Sequence, residues 1–533
     1  MEQTKFKSVE DALLIDLVRN ALEAIAKEMS IIMLRSAYSP IFSEGKDFSS
    51  ALFTPEGYTL AQAHDCPIHL ASMGFHVKQC LREMGGTGVI DDGDLMISND
   101  PYSGGSHLPD ITVFKPIFCE GLLVAFAANR AHHSDVGGWS PGSFTADAEE
   151  IFQEGLRIPP VRLIRRGQLQ EDLLAFVLRN VRDPESMRGD LFAQIAAVNH
   201  AEKQIKSQIV SRLGLNALKL CEAPILDASE AMMRREIAEI PDGIYEAHDF
   251  VEDDGLGNGP FEIKVKVAVR GDSLEVDFAG TSSQARGPIN APLAVASGAT
   301  FIAILTMTDS KIPVNEGCYR PVTIKIEEGT FLNPREPAPC VSGNTYTALR
   351  VIDTVRSALG KAIPHRATAG NGDHLQFLAG GFDPQKNNAP YSFYEMPTGG
   401  WGAGSHGPGV GSAFGLVANC RNVPIEIFES KYPFRINRMQ LQGDSCGTGS
   451  NRGGAGMFKE YELLRGTARV TLASDRQKLG PAGHGGGGHG NPGLQVLVQD
   501  GACHTLPGKI SDIVMKAGDV IQLTAPGGGG WSE

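Results

Sequence analysis

Two apolar runs, ITVFKPIF (111–118) and LLVAFAAN (122–129), are separated only by Cys119-Glu120-Gly121. Runs rich in β-branched and aromatic residues, joined by so short a glycine-bearing connection, predict an antiparallel hairpin with a three-residue loop. With residues 118 and 122 opposed, Asp110 falls across from Arg130, and His107 lies close to His132 and His133. Pro109 argues against a helix interior, so His107 and Asp110 belong to a turn or strand entry. One end of a sheet therefore collects several imidazoles and a carboxylate.

That end lies in the densest polar stretch of the chain. The same stretch holds Glu44 and Asp47 in SEGKDFSSALF, and His64, Asp65 and His69 in AHDCPIHLASMG. Two imidazoles with carboxylates form a nitrogen and oxygen ligand set suited to zinc, manganese or iron, with a position left for water. Such an ion depresses the pKa of bound water and polarises a carbonyl or phosphoryl oxygen. Strand-end histidines can equally bond nearby carbonyls, and the spacing matches none of the standard metalloprotease motifs. Both readings stay open on spacing alone.

Around this hairpin the periodicities predict a mixed α/β or α+β chain with long helices. Leu13, Leu17, Leu22, Ile25, Met29, Ile32 and Met33 recur near helical spacing between Val9 and about Ala37. A second helical region runs from about Asp183 to Leu213, and a third from Ala228 to Glu239, with Asp227 as its N-cap. Alternation predicts strands at Tyr245–Val251, Phe261–Val269 and Ser273–Phe278. Ala296–Thr308 and Ala348–Ala362 read as helices, Ala468–Ala473 and Leu494–Val498 as short strands. The expectation is an N-terminal α/β part, about 1–240, bearing the metal site, then a larger mixed, glycine-rich part, 241–533.

Composition narrows the function. Lys and Arg number 48 against 62 Asp and Glu, a net charge of −14, with no basic tract to bind nucleic acid or anionic lipid. No apolar run reaches the roughly 20 residues that span a bilayer. The N-terminal MEQTKFKSVEDALLIDLVRN mixes acids among its apolar residues, unlike a secretory signal. The nine cysteines show no CxxC spacing, the closest pair being Cys66 and Cys80, which predicts reduced, mostly structural thiols and a cytoplasmic chain. The 63 glycines cluster without a period. GHGGGGHG (483–490) and PGGGGW (526–531) read as mobile loops or as phosphate cradles. Each Gly-Lys pair is followed by Asp, Ala or Ile, which excludes a P-loop. GxSxG occurs around Ser140 and Ser445, but neither match leads into a helix, which argues against a nucleophile elbow.

Ordered motifs along nearly the whole chain resemble the hydantoinase B/oxoprolinase family. They are SEGKDFSSALF, NDPYSGGSHLPDITVFKPIF, AHHSDVGGWSPGSF, EIFQEGLRIPPVRL, NVRDPESMRGDLFAQIAA, GPINAP, NVPIEIFESKYPFRI, NRGGAG and ASDRQKLGPAGHGGG. The resemblance implies a B subunit that works with a separate hydantoinase A-like subunit, in an A2B2-type hetero-oligomer. The partner uses ATP to phosphorylate a lactam or hydantoin carbonyl oxygen, and the B subunit hydrolyses the activated ring. Related ketone carboxylases carry out a different outcome on a similar metal-bearing subunit. By the same resemblance Asp47, His107, Asp110 and His132 hold one divalent transition metal, with Glu44 a near neighbour that could supply the first carboxylate. Glu44, His133 or Glu28 would help deprotonate the attacking water, and His133 and Asp135 would support ligands or substrate. The segment GSHGPGVGSAFGLVANCRNVP departs from the family pattern in lacking acidic residues, which puts substrate contacts there in question.

Overall fold

The computed structural model describes residues 9–532. Its elements are mixed α and β, as the periodicities predict. The first sheet has order β2-β1-β5-β4-β3-β6-β7. Its strands are β1 (Phe48–Phe53), β2 (Thr59–Gln62), β3 (Leu95–Ser98), β4 (Asp110–Cys119), β5 (Leu122–His132), β6 (Val161–Arg165) and β7 (Gln168–Leu169). The second, β11-β10-β9-β8, contains β8 (Gly243–Val251), β9 (Phe261–Arg270), β10 (Ser273–Asp277) and β11 (Val322–Lys325). Two further sheets close the chain. One runs β13-β12-β16-β19, with β12 (Gln376–Asp383), β13 (Ala389–Glu395), β16 (Thr467–Ala473) and β19 (Lys509–Lys516). The other runs β14-β15-β20-β17-β18, with β14 (Phe434–Gln442), β15 (Gly456–Leu463), β17 (Leu494–Gln499), β18 (Ala502–Leu506) and β20 (Val520–Thr524).

One apolar core links the Val9–Ser36 helix, through Val18, Leu22 and Met29, to Ile97 and Val113 of the first sheet. It continues to Val265 of the second sheet and Val351 of the Ala348–Ala362 helix. A second core, built on Phe377, Phe393, Phe434, Tyr461 and Leu523, lies between the last two sheets. Among the described residues no helix is long and apolar enough to cross a membrane.

Three local expectations need correction. The hairpin turns on two residues, because Glu120 (φ 52°) and Gly121 (φ 77°) both take left-handed backbone and Cys119 pairs with Leu122. That is the two-residue geometry whose twist matches the flanking strands. An irregularity between Ile117 and Phe118 then shifts the register again, so Asp110 faces His132 and Arg130 faces Thr112. The third helix begins at Leu215, not Ala228, and Pro224 and Asp227 lie inside it. Ala217, Leu218, Cys221 and Ile225 extend its buried stripe, and Asp227 accepts a bond from Arg320 at 2.8 Å instead of capping. Most N–H groups of the glycine runs bond other backbone, as in Gly488 to Thr448 O at 2.6 Å and Gly530 to Gly488 O at 2.9 Å, which knits the two runs together. A Cβ on Gly528 would sit 1.9 Å from Trp401 O, so only glycine permits this approach.

Candidate metal centre

Adjacency of β1, β5 and β4 is what assembles the site. Asp47 immediately precedes β1, His132 ends β5, and Asp110 opens β4, so three neighbouring strands deliver three polar side chains to one sheet end. The His132 N–H donates to Asp47 O at 3.0 Å, extending the ladder to the site itself. His107 stands on the preceding turn, which the Asp110 N–H closes onto His107 O at 3.0 Å. His69 comes from the first turn of the Pro67–Glu83 helix.

The donor atoms are tightly grouped. Asp110 Oδ1 lies 3.0 Å from His107 Nε2 and 3.2 Å from His132 Nδ1, and the two nitrogens are 3.2 Å apart. Asp110 Oδ2 accepts from Ser106 Oγ at 2.5 Å and Asn344 Nδ2 at 3.2 Å, and lies 3.3 Å from His69 Nε2. His69 Nε2 is 3.8 Å from Asp47 Oδ1. All of these side chains are buried.

The electrostatics run against burial. Desolvation alone would raise the Asp110 carboxyl, but charge on His107 and His69, with bonds from His107 and His132, holds it well below the usual carboxylate range. Desolvation likewise opposes charge on His107, yet Asp110 raises it above the ordinary imidazole value. Beneath the cluster, fully buried Arg130 donates to Thr112 Oγ1 and Ser72 Oγ, and burial lowers its pKa to about 10.

This donor set fits a divalent transition metal. Val341 O lies 2.8 Å from His107 Nδ1, so that nitrogen donates and Nε2 is the one that faces Asp110 and His132. Two imidazoles and a carboxylate within a few ångströms form the nitrogen and oxygen set such ions take. His132 Nε2 and His69 Nδ1 are buried without a hydrogen-bond partner, an expensive state in a closed protein site. Tyr394 covers the cluster, its ring 4.8 Å from that of His132.

Not every candidate side chain reaches this point. His133 turns to the opposite side of the strand, where Nε2 bonds Gln194 Oε1 at 2.9 Å and burial lowers its pKa to about 4. Glu28 pairs with His200 at 2.7 Å on the surface of the first helix. Glu44 is half-buried and accepts from Ser43 Oγ at 3.2 Å. Asp135 staples its own loop, accepting from Gly137 N at 2.9 Å, Gly142 N at 3.0 Å and Arg182 Nη1 at 2.9 Å. The spacing argument passed over His69, and nothing local marked Val341, Asn344 or Tyr394, which arrive from far along the chain. A cleft of about 790 Å³ is lined by Asp65, Pro67 and Leu70, neighbours in sequence of Cys66 and His69, and by Ile302, Phe414 and Cys420 among others, but by none of the clustered donors themselves.

A sheet end that gathers histidines and carboxylates under a tyrosine is a candidate site for a metal ion. Comparison with known proteins gives the lineage: residues 11–533 match the profile of the hydantoinase B/oxoprolinase family, and the chain belongs to that family. It is 32% identical to the caprolactamase subunit beta of Pseudomonas jessenii, over 98% of this chain and 91% of that one. The crystal structure of the ATP-dependent caprolactamase from that organism superposes with a TM-score of 0.91 at 30% identity, covering 98% of this chain and 92% of that one. The 5-oxoprolinase 1 of Arabidopsis thaliana is 32% identical over 99% of this chain, which spans only 42% of that longer protein. The nucleotide-free structure of an acetone carboxylase shares the fold, with a TM-score of 0.87 at 18% identity over 99% of this chain and 77% of that one.

Proposed function

We propose that this chain is the B subunit of an ATP-dependent cyclic-amide hydrolase, opening a lactam, hydantoin or 5-oxoproline ring whose carbonyl oxygen an A-type partner has phosphorylated. The observation that carries the reading is the buried His107–Asp110–His132 cluster, in which Val341 O holds His107 so that Nε2 faces the other donors. His107, Asp110, His132 and Asp47 would hold one divalent metal, whether zinc, manganese or iron. When bound, such an ion supplies hydroxide at neutral pH and polarises the carbon–oxygen bond of the activated amide.

The chain's own residues prepare that chemistry. Asp110 holds both imidazoles and is itself fixed by Ser106 and Asn344, so the donors cost little to organise. Tyr394, tilted over His132 at 4.8 Å and stacked on Phe144 at 6.0 Å, would exclude bulk water from one side. The apolar walls of the neighbouring cleft, including Leu70, Ile302 and Leu305, suit the methylenes of a ring, while Asp65, Asn419 and Arg421 add polar contacts. Phosphorylation makes the amide carbon electrophilic: one water adds, the ring C–N bond breaks with the nitrogen leaving as a protonated amine, and a second water cleaves the resulting acyl phosphate to carboxylate and phosphate. Of the three side chains weighed for the proton, Glu28 is paired with His200, His133 with Gln194 and Glu44 with Ser43.

The test is elemental analysis of the purified chain beside Asp110→Asn, followed by a lactam and hydantoin screen with the A-type subunit and ATP. Tightly bound transition metal, lost in the variant together with ring opening, is the expected result. Full turnover without metal would refute the mechanism. A requirement for bicarbonate and a ketone would move the chain to the carboxylase side of its family.

A further inference from the structure

Next to the histidine cluster, Cys66, Cys420 and His69 gather around Asp47. Cys66 Sγ lies 3.5 Å from Asp47 Oδ1 and 3.7 Å from Cys420 Sγ, and His69 Nε2 lies 3.8 Å from the same Asp47 oxygen. Tetrahedral zinc, with bonds of about 2.3 Å to sulfur and about 2.0–2.2 Å to nitrogen or oxygen, sets its two sulfurs about 3.8 Å apart. The same geometry sets sulfur and oxygen about 3.5 Å apart, and nitrogen and oxygen about 3.4 Å apart. Two of the three measured edges match, and the third is longer by a few tenths of an ångström. The donors of Asp47, Cys66 and His69 all lie within 4.8 Å of one another, and Cys420, anchored on Cys66, has to move in to complete the set. We propose that Cys66, Cys420, Asp47 and His69 form a second, thiolate-bearing site for a divalent cation of the zinc class, sharing Asp47 with the histidine cluster.

The fold holds these donors from three directions. Cys66 is the N-cap of the Pro67–Glu83 helix, and His69 follows one turn later on the same face. Asp47 is fixed by the strand end that also carries His132. Cys420 arrives on a separate loop, pinned where Arg421 N donates to Gly45 O at 2.8 Å and Asn419 Nδ2 donates to His64 O at 3.1 Å. Cys66 and Cys420 are both free thiols. Cys420 also lines the 790 Å³ cleft, which gives a cation its entry path. A sulfur-rich donor set selects zinc and its relatives, whereas the neighbouring imidazoles and carboxylates accept a broader range. Binding there would release the thiol protons and neutralise part of the charge that Asp47 brings to the site.

The test uses the full, reduced chain, stripped of metal and titrated with cobalt(II), whose thiolate complexes absorb strongly in the near ultraviolet by charge transfer. The wild type is expected to take up two equivalents and to develop that band. Cys66→Ser and Cys420→Ser should each lose the band and one equivalent, while the remaining cobalt at the histidine cluster reports that the variant has folded. His132→Ala should keep the band. Uptake by the reduced wild type without the band overturns the proposal, as does a band that survives in both serine variants. A band with only one equivalent bound would support this site and count against the histidine cluster, so the two readings fail separately.

Discussion

Glu154 gives the most quantitative handle on how the cluster is supported. It is fully buried, Oε1 accepts the Val341 N–H at 2.8 Å, and Oε2 has no partner. The carbonyl of the same Val341 fixes His107. Burial pushes the Glu154 carboxyl up to about 8, and the Val341 and Cys340 N–H groups only partly oppose it. Its ordinary value is 4.5, so the folded chain keeps this proton to a higher pH than the unfolded chain does. The contribution to stability is therefore complete below about pH 4.5 and is lost as pH rises through about 8. One pH unit inside that window is about 1.4 kcal/mol, so from pH 6 to pH 9 the wild type should lose about 2.7 kcal/mol more than Glu154→Gln. Glutamine keeps an acceptor for Val341 and cannot ionise. With about 2.1 cal/mol/K of unfolding entropy per residue, a chain of 533 residues shifts its Tm by about 1 °C per kcal/mol. Thermal unfolding of both metal-stripped proteins across pH 6–9 should separate their Tm curves by about 2–3 °C at the alkaline end. Curves that stay parallel refute a protonated, buried Glu154.

Further tests address placement and packing. Asp110→Asn should lower metal affinity by more than the roughly 10–100-fold typical of a supporting residue, because the carboxylate itself is removed, and equilibrium dialysis measures this. His133→Ala should keep its metal yet lose about 2–4 kcal/mol of stability, since Gln194 Oε1 loses its partner and the ring leaves a gap beside Phe42. Loss of metal in that variant would place His133 in the wrong environment. Gly528→Ala must move the Trp401 backbone and should cost about 4 kcal/mol or more, seen as loss of folded protein on gel filtration.

Local periodicity made much of this fold legible. The Ala348–Ala362 helix and the strands near 245, 261 and 468 follow from patterns that one segment contains by itself. The hairpin was visible for the same reason, and it correctly sent Asp110 and the histidines to one sheet end. Its register was not visible, because it depends on a non-glycine residue, Glu120, accepting left-handed backbone and on a strand irregularity at Ile117. Helix ends were obscured where Pro224 sits inside a helix that a buried stripe carries past it.

The limit reached at the site is of a different kind. Cys66 and Cys420 are 354 residues apart, and Asp110 and Asn344 are 234 apart, so no spacing rule connects them. A CxxC search reads only donors that share one loop, whereas here one cysteine stands at the N-cap position of a helix and the other rides on a loop pinned to residues 45 and 64. The glycine runs make the same point from the opposite side. Their composition suggested freedom, but backbone packed on backbone, as at Gly528 and Trp401, spends that freedom on contact. Strand ends can deliver ligands with a signature in the sequence because the ladder fixes their neighbours. The side chains that cover, orient and enclose those ligands come from elsewhere in the chain, and tertiary closure alone reveals them.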